Sequence, residues 1–580
     1  MSDGYRAPVE EMLLVLRAIG GIETLPPSAE RPEVDLETCR LLLEEAARFA
    51  AEVLAPLAPR MDREPPRLAD GEVVTTPGVK EAYARFIEAG WNGLVFPERW
   101  GGQGLPRLLQ AATDEMWNAA NMTFALCPLL TQAGIEALLA HGGDELCRRY
   151  LPPLVSGRWT AAMCLTEPQA GSDLGALRCR AERSEDGYRL FGQKIFITFG
   201  DHDLADNIIH FVLARLPDAP AGTRGISLFL VPKWLPDEAG RPVRRNDMRC
   251  LKLEDKLGIH GSPTCVMAYG EEGGAVGYLI GEEHRGLRCM FTMMNQARIA
   301  VGNEGLGVAE AAFQKALAYA RERVQGRRGG RPFPILAHPD VRRMLLTMRA
   351  VTAAMRCLCY ETAAWLDRSE RAPRPEERER ARARVALLTP VCKAWCTNRA
   401  VEVVSLALQV HGGAGYIEET GIARLYRDVR ITPIYEGTNG IQAIDLVQRK
   451  LFLEEGEAPW ALLRELWEEG ERLRTSPLAA ASGALMQALS VLEQATKELQ
   501  QADADDREAA AMPYLELFGW SVGAVLLARL ARSAAETALG PRLIGAARFY
   551  LEQLLPQAAA LAGAIRAGVA ALDPDWLGEP

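Results

Sequence analysis

The strongest constraint in this 580-residue chain is the order of its local patterns: a helical stretch, then short β-rich runs, then long helices. Over residues 36–154, apolar positions such as Leu41, Leu42, Ala46 and Phe49 recur at helix spacing, with Glu and Arg on the other face. Pro and Gly clusters at 56–66 and 97–106 interrupt that pattern. Over 159–280 the grammar changes, and 188–191, 194–198, 208–214, 226–231 and 265–269 read as strands separated by turn residues. A block of this kind makes a compact barrel or sandwich. Helices return at 301–324, 338–367 and 377–409, and the charged piece 367–384 reads as an exposed loop and helix start. Strands and helices are segregated rather than alternating, which excludes a single α/β domain and makes the fold class α+β.

The expected domains are an N-terminal extension (1–35), an N-terminal helical domain (36–158), a middle β-domain (159–282), a helical bundle (283–455) and an extra C-terminal helical domain (456–580). In the last, Leu485, Leu489, Leu492 and Leu499 share a stripe that Leu515, Trp520, Leu526 and Leu530 continue. That pattern predicts a bundle of about four helices given over to packing or dimer contact.

A net charge of −10, with no basic tract bearing interleaved aromatics, argues against a nucleic-acid binder. No apolar run is expected to span a membrane. The start, Met1-Ser2-Asp3-Gly4-Tyr5-Arg6, lacks a signal-peptide layout, so the expected location is the cytoplasm. The twelve cysteines are scattered and form no CxxC pair. Cys357 and Cys359 are two apart, and Cys392 and Cys396, four apart on a helix, make at most half a site. The seven histidines are equally dispersed, and no metal is expected.

Four short clusters carry possible chemistry. Ile434-Tyr435-Glu436-Gly437-Thr438-Asn439-Gly440 sets one carboxylate between an apolar-aromatic run and a turn that opens a helix. A carboxylate there is a strong base if its pocket is dry, whereas a Glu before Gly on its own marks a solvated turn. Met163-Cys164-Leu165-Thr166-Glu167-Pro168-Gln169-Ala170-Gly171-Ser172-Asp173 begins as a strand and ends in a turn whose hydroxyls and amides suit a polar ring edge or phosphate oxygens. In Lys194-Ile195-Phe196-Ile197-Thr198, strand alternation puts Phe196 and Thr198 on one face, which suits a flat heterocycle or ordinary packing. His411-Gly412-Gly413-Ala414-Gly415-Tyr416 joins two helices and lets backbone approach a ligand.

Together, in this order and frame, the four clusters resemble the acyl-CoA dehydrogenase family, and Pro97-Glu98-Arg99-Trp100-Gly101-Gly102-Gln103-Gly104 adds a fifth match. The resemblance covers about residues 36–452. The N-terminal piece and the C-terminal extension look like the long subgroup that includes 3-methylmercaptopropionyl-CoA dehydrogenases, although very-long-chain enzymes also carry an extension. The implied fold is a helical domain, a middle β-domain and a four-helix bundle, followed here by extra helices.

The implied activity is formation of a 2,3-double bond beside a thioester: a proton leaves Cα and a hydride leaves Cβ for N5 of FAD. Glu436 is the implied base; its backbone amide and a ribityl hydroxyl polarise the thioester carbonyl, and Gly437 makes room. The strand 163–166 is implied to lie along the flavin, with Met163 in it and Leu165 and Thr166 at the polar edge. Phe196 stands where many relatives have Trp, and Thr198 reaches the ring. Ser172 is implied near pantetheine or phosphate, and Arg298 resembles the CoA arginine, although Asn295 stands where many relatives have Asp. Arg323 and Gln325 fall where relatives hold the FAD pyrophosphate of a neighbouring subunit, and Gln409 and Gly413 match the segment over its adenine side. Thr438 fits an N-cap at a helix terminus suited to phosphate. The implied working unit is a homodimer or dimer of dimers, acting in fatty-acid β-oxidation with electron-transfer flavoprotein as acceptor. An acyl-CoA oxidase using dioxygen, or a non-catalytic flavin-binding or assembly protein of the same fold, are the alternatives. The acyl chain is left open, with the pocket floor drawn partly from the helix at 114–124.

Overall fold

The computed structural model describes residues 4–27, 32–328 and 330–578; Met1, Ser2 and Asp3, used above to weigh a targeting signal, lie outside the described residues. The chain forms two compact units: Met1–Arg48 with Pro106–Ala119 and Arg298–Pro580, and Phe49–Leu105 with Ala120–Ala297.

The second unit is built on eight strands: β1 Trp159–Cys164, β2 Arg180–Ser184, β3 Gly187–Thr198, β4 Asn207–Arg215, β5 Ile226–Pro232, β6 Met248–Leu253, β7 Thr264–Tyr269 and β8 Ala275–Ile280. Their order is β6-β7-β3-β8-β5-β4-β1, with β2 pairing β3 antiparallel and meeting β4 at Arg180 and Arg215. That last contact closes a ring, so the domain is a barrel rather than a sandwich. All of β5, and all of β4 up to Ala214, is buried, which is why both read as largely apolar runs in which His210 and Ser227 are the polar exceptions after Asn207. Ala162, Leu190, Val212, Phe229 and Val231 fill the interior. The expected strands at 188–191 and 194–198 are one strand, β3. β2, β6 and β8 escaped the sequence pattern because charged residues or Gly277 break their apolar runs.

The first unit is helical. Its main elements are α1 Val9–Val15, the start of α2 Arg107–His141, α3 Gly286–Glu322 from Arg298 onward, α4 Pro339–Arg371, α5 Pro375–His411 and α6 Asn439–Gln448. The extension adds α7 Glu457–Arg472, α8 Ser482–Gln501, α9 Ala511–Ser533, α10 Gly540–Phe549 and α11 Pro556–Ala567. The whole leucine stripe predicted for this segment is buried. Gly519 of α9 lies so close to Trp395 of α5 that a Cβ would overlap the indole, and Trp520 meets Trp395 edge-on at 5.5 Å.

A buried charge cluster ties these helices together. Arg356 of α4 donates to Glu115 of α2 at 2.6 and 3.0 Å, to Glu310 of α3 at 2.8 Å and to Glu11 of α1 at 2.6 Å. Arg349 adds a second bond to Glu11, and the Tyr360 hydroxyl donates to Glu115 at 2.9 Å.

Two expectations are corrected. The piece 367–384 opens as buried helix rather than as exposed loop: α4 runs to Arg371, and buried Asp367 accepts from the Arg107 and Leu108 amides at 3.0 and 2.9 Å, capping the first turn of α2, while the expected exposed link and helix start follow only from Pro373, with α5 beginning at Pro375. Asp367 and Arg371 form an i,i+4 pair that points inward, a direction charge spacing does not reveal. Two helices, Arg107–His141 and Ala511–Ser533, are also long and apolar enough to cross a membrane. In each, 83% of the apolar window is buried inside the protein, so core packing accounts for its hydropathy.

Replacing Arg356 by Met strips buried Glu115 and Glu310 of their guanidinium and leaves Glu11 with Arg349 alone. Arg356→Met is expected to cost about 3–5 kcal/mol, read as a lower urea midpoint. The deficit should narrow as the pH is lowered, because protonation discharges the stranded carboxyls.

Candidate functional site

The turn before α6 places Glu436 at φ +56° and Gly437 at φ +83°, two successive left-handed residues. Such a backbone is strained for Glu and natural for Gly. A Cβ at Gly437 would come 2.8 Å from Gln442 Nε2 and 3.5 Å from Arg298 Nη2, so the glycine also admits close packing. Thr438 caps α6 by accepting the Ile441 amide at 3.3 Å.

The turn is fastened on both sides. Upstream, the Tyr435 hydroxyl donates to Glu304 of α3. Downstream, buried Asn439 accepts from Lys393 Nζ at 2.8 Å and donates to Thr397 Oγ1 at 2.9 Å, Asn398 Oδ1 at 2.7 Å and the Ala394 carbonyl at 3.1 Å. Arg298 Nε donates to the Glu436 carbonyl at 3.3 Å. The Glu436 amide N–H has no hydrogen-bond partner among the described residues.

Burial raises the proton affinity of the Glu436 carboxyl above the usual carboxylate range, and Arg298 and Lys393 oppose it. Burial lowers Lys393 to about 7, against the pull of Glu436 and Glu304. Burial also pushes Glu304 up to about 8; the Tyr435 bond works against this, and the neighbouring Glu436 adds to it. Asp114 of α2, which faces Glu304, is pushed up to about 7 by burial. Glycines explain how Glu304 is sealed. Gly302 and Gly305 bring α3 against Cys392 and Ala400 of α5, and Gly307 brings it against the Glu115 carbonyl of α2.

The second unit carries the other half of the predicted residues. Met163 is buried near the end of β1, and Leu165 and Thr166 follow it, partly exposed. A buried pair organises this corner: Lys194 Nζ donates to Glu167 Oε1 at 2.8 Å and to the Leu165 carbonyl at 2.9 Å. Glu167 also accepts from the Arg178 and Cys179 amides at 2.7 and 3.0 Å, and the Thr166 carbonyl accepts the Ile195 amide at 2.9 Å. Simple alternation in β3 is not observed. The register against β7 shifts between Cys265 and Met267, and Phe196 takes φ +60°. This bulge buries Lys194 and Ile197 while Phe196 faces solvent, 60% exposed, with Thr198 partly exposed.

Glu436, Gly437, Thr438 and Arg298 are thus brought together in the first unit, and Met163, Leu165, Thr166, Phe196 and Thr198 cluster in the second. Ser172 sits exposed in the turn that leads to Asp173. Arg323 and Gln325 are exposed at the end of α3 and on the hairpin Val324–Arg328. Gln409 is exposed in the last turn of α5, and Gly413 is exposed in the turn Gly412–Tyr416.

Sequence reasoning missed Glu304, Lys393, Asn398 and Asn439. The available signals were a charged residue inside Gly302-Asn303-Glu304-Gly305-Leu306-Gly307 and a lone Lys inside Val391-Cys392-Lys393-Ala394-Trp395-Cys396. The reading that Cys392 and Cys396 lack a further ligand also needs correction. Cys359 of α4 brings its Sγ to 3.8 Å from Cys392 and 3.9 Å from Cys396, all three wholly buried. Those separations are van der Waals contacts between core thiols.

Residues 37–158, 162–270 and 284–451 match the N-terminal, middle and C-terminal domains of acyl-CoA dehydrogenases, and 460–573 match an acetyl-CoA dehydrogenase C-terminal-like domain. The chain belongs to the acyl-CoA dehydrogenase family. It is 50% identical over 457 residues to 3-methylmercaptopropionyl-CoA dehydrogenase of Ruegeria pomeroyi, covering 78% of this chain and 77% of that protein. A butyryl-CoA dehydrogenase of Syntrophomonas wolfei is 39% identical over 421 residues, 70% of this chain and 69% of its own. The fold is shared with Caenorhabditis elegans ACDH-11, solved in complex with C11-CoA, at a TM-score of 0.81 and 22% identity, over 98% and 96% of the two chains. The family resemblance and the α+β architecture are thereby borne out.

Gly437→Ala is expected to destabilise the protein by about 1–2 kcal/mol, from the left-handed backbone and the Gln442 contact. Gly440→Ala, whose Cβ would meet only Thr438 Oγ1 at 3.7 Å, serves as the control and should not lower the melting temperature.

Proposed function

We propose that this chain is an FAD-dependent acyl-CoA dehydrogenase that forms a trans-2,3-enoyl-CoA, with Glu436 as the base. The observation that carries this reading is the Glu436 turn. A carboxylate of raised proton affinity stands beside its own unpaired amide N–H, where α-proton removal and enolate charge need a base and a donor together.

Glu436 takes the α-proton, and its amide N–H donates a hydrogen bond to the thioester oxygen as charge builds there. Arg298 holds the Glu436 carbonyl and is the cation we assign to the CoA moiety. Gly437 leaves room where a side chain would meet Gln442 and Arg298. Bound FAD supplies an acceptor for the β-hydride at N5.

The residues fit that cofactor. Phe196 presents an exposed aromatic face on a strained bulge, a costly arrangement for a side chain with nothing to stack on. Met163, Leu165, Thr166 and Thr198 offer apolar contacts, backbone and hydroxyls to the ring and its edge, and Ser172 offers a hydroxyl toward phosphate or pantetheine. Arg323, Gln325, Gln409 and Gly413 are accessible to the FAD of a second copy, and Thr438 stands at a helix N-terminus suited to phosphate. Tyr416 and Ile417, 84% and 52% exposed beside Gly413, leave apolar surface that a homodimer would cover. We take electron-transfer flavoprotein as the acceptor, the cytoplasm as the location, and a short or thioether acyl chain as substrate. The last follows the names borne by the Ruegeria and Syntrophomonas relatives.

Glu436→Gln is expected to retain FAD and to lose α-proton exchange and turnover by several orders of magnitude; normal turnover would refute the base. In the wild type, burial places the acid limb of kcat above the ordinary carboxylate range, with activity rising with pH as Glu436 loses its proton. Anaerobic flavin reduction by acyl-CoAs of graded length, including a thioether, followed by reoxidation with air or with electron-transfer flavoprotein, identifies chain and acceptor. Fast turnover on air alone would make the enzyme an oxidase, and absence of flavin reduction by any acyl-CoA would favour a non-catalytic role.

A further inference from the structure

The C-terminal extension carries no residue that the chemistry above uses, yet α9 reaches the base turn through two side chains. Glu516 of α9 accepts Asn398 Nδ2 at 2.8 Å and pairs with Arg399 at 3.2 Å. Asn398 Oδ1 in turn accepts Asn439 Nδ2 at 2.7 Å, and Asn439 Oδ1 receives Lys393 Nζ at 2.8 Å. Asn439 is the first residue of α6, three positions after Glu436. An unbroken line of hydrogen bonds therefore runs from the extension to the cation that faces the base.

The direction of that line is set at its outer end. A carboxylate only accepts, so Glu516 obliges Asn398 to present its NH2 outward and its carbonyl oxygen to Asn439. Asn439 then directs its own NH2 at Asn398, Thr397 and Ala394, which leaves its oxygen for Lys393. A reversed Asn398 would set one NH2 against another. Packing holds the donors and acceptors in register. Trp395 is wholly buried against Gly519, and Arg399 lies over the Trp520 ring at 4.9 Å.

We infer that Glu516 is a positioning residue for the base: through Asn398 and Asn439, the C-terminal extension sets where Lys393 stands beside Glu436. The inference rests on the reading of Glu436 as base. The charged and titratable groups that face Glu436 are Arg298 and Glu304 from α3, Lys393 from α5 and Tyr435 from its own turn, with Asp114 of α2 behind Glu304. Lys393 is one of the two cations that oppose the effect of burial on Glu436. Displacing it leaves burial less opposed, so the base should hold its proton to higher pH.

The test uses the FAD-loaded full chain with Glu516→Ala, Glu516→Gln and Asn398→Ala. Glu516→Ala and Asn398→Ala are each expected to lower kcat at neutral pH by about 10-fold while KM moves less than about 3-fold, the size of effect that small misplacement of a reacting group produces. The acid limb of kcat should move to higher pH in both. Glu516→Gln, which still offers Asn398 an oxygen, should recover most of the loss. Asn398→Ala breaks the same line without changing a residue of the extension, so it stands in should Glu516→Ala not fold. Wild-type kcat and acid limb in Asn398→Ala, or a loss confined to thermal stability, would overturn the inference. An infrared titration of the resting enzyme reads the 436 carboxyl without turnover, its band identified by loss in Glu436→Gln. A band that titrates at higher pH in Asn398→Ala supports the inference, and an unmoved band overturns it. Turnover surviving in Glu436→Gln would instead remove the reading of the base, a distinct result.

Discussion

Glu436 sits in a backbone conformation that a glutamate avoids, and the first unit is arranged to keep it there. The left-handed region costs a residue with a Cβ about 1–2 kcal/mol, so the turn would relax if either end were loose. It is tied at Tyr435 to α3 and at Asn439 to α5, with Arg298 on the carbonyl between. Those ties come from helices far apart in sequence, so Glu436 is only as well placed as the bundle is well packed. The same strained turn leaves the Glu436 amide without a hydrogen-bond partner among the described residues.

The first unit buries charge in two ways, and the contrast separates structure from function. Around Arg356, the carboxylates of Glu11, Glu115 and Glu310 each receive a guanidinium or hydroxyl donor. Around Glu436 the balance is left incomplete. Glu304 has one oxygen bonded to Tyr435 and the other, Oε1, without a hydrogen-bond partner, and Asp114 lies behind it with its proton affinity raised by burial alone. Near neutral pH such carboxyls carry protons for part of the time. Glu436 is also raised by burial, but Arg298 and Lys393 oppose that effect. Paired charges lock helices together; unevenly paired ones leave a group able to exchange a proton.

The segregated helix–strand–helix order was legible because strand and helix periodicities differ, and the long apolar runs of β4 and β5 are unambiguous. Glu436, Gly437, Thr438 and Arg298 were legible through motifs, and the structure gathers them. Glu304, Lys393, Asn398 and Asn439 were not, because a single buried polar residue has no period and its partners come from distant segments. Asp367 was misread for a related reason: its inward direction depends on the α2 amides that it caps, which no local pattern announces. The Phe196 bulge was hidden because a non-glycine residue at positive φ leaves no mark in the sequence. The membrane-length hydropathy of α2 and α9 shows the converse, since surroundings, not composition, decide where an apolar helix goes.

A base for an α-proton has to be ionised at the working pH and yet bind a proton as tightly as ionisation allows. Burial favours the protonated form of Glu436. Arg298 and Lys393 pull the other way. Each opposing group is itself adjustable. Lys393 is weakened as a cation by its own burial, down to about 7, so it opposes the effect of burial on Glu436 only in part. A fully hydrated lysine in its place would hold its charge across this pH range and depress the base further. The strength of Glu436 is therefore a property of the bundle: α3 supplies Arg298, α5 supplies a dehydrated Lys393, and the glycines of α3 let the helices approach closely enough to keep water out.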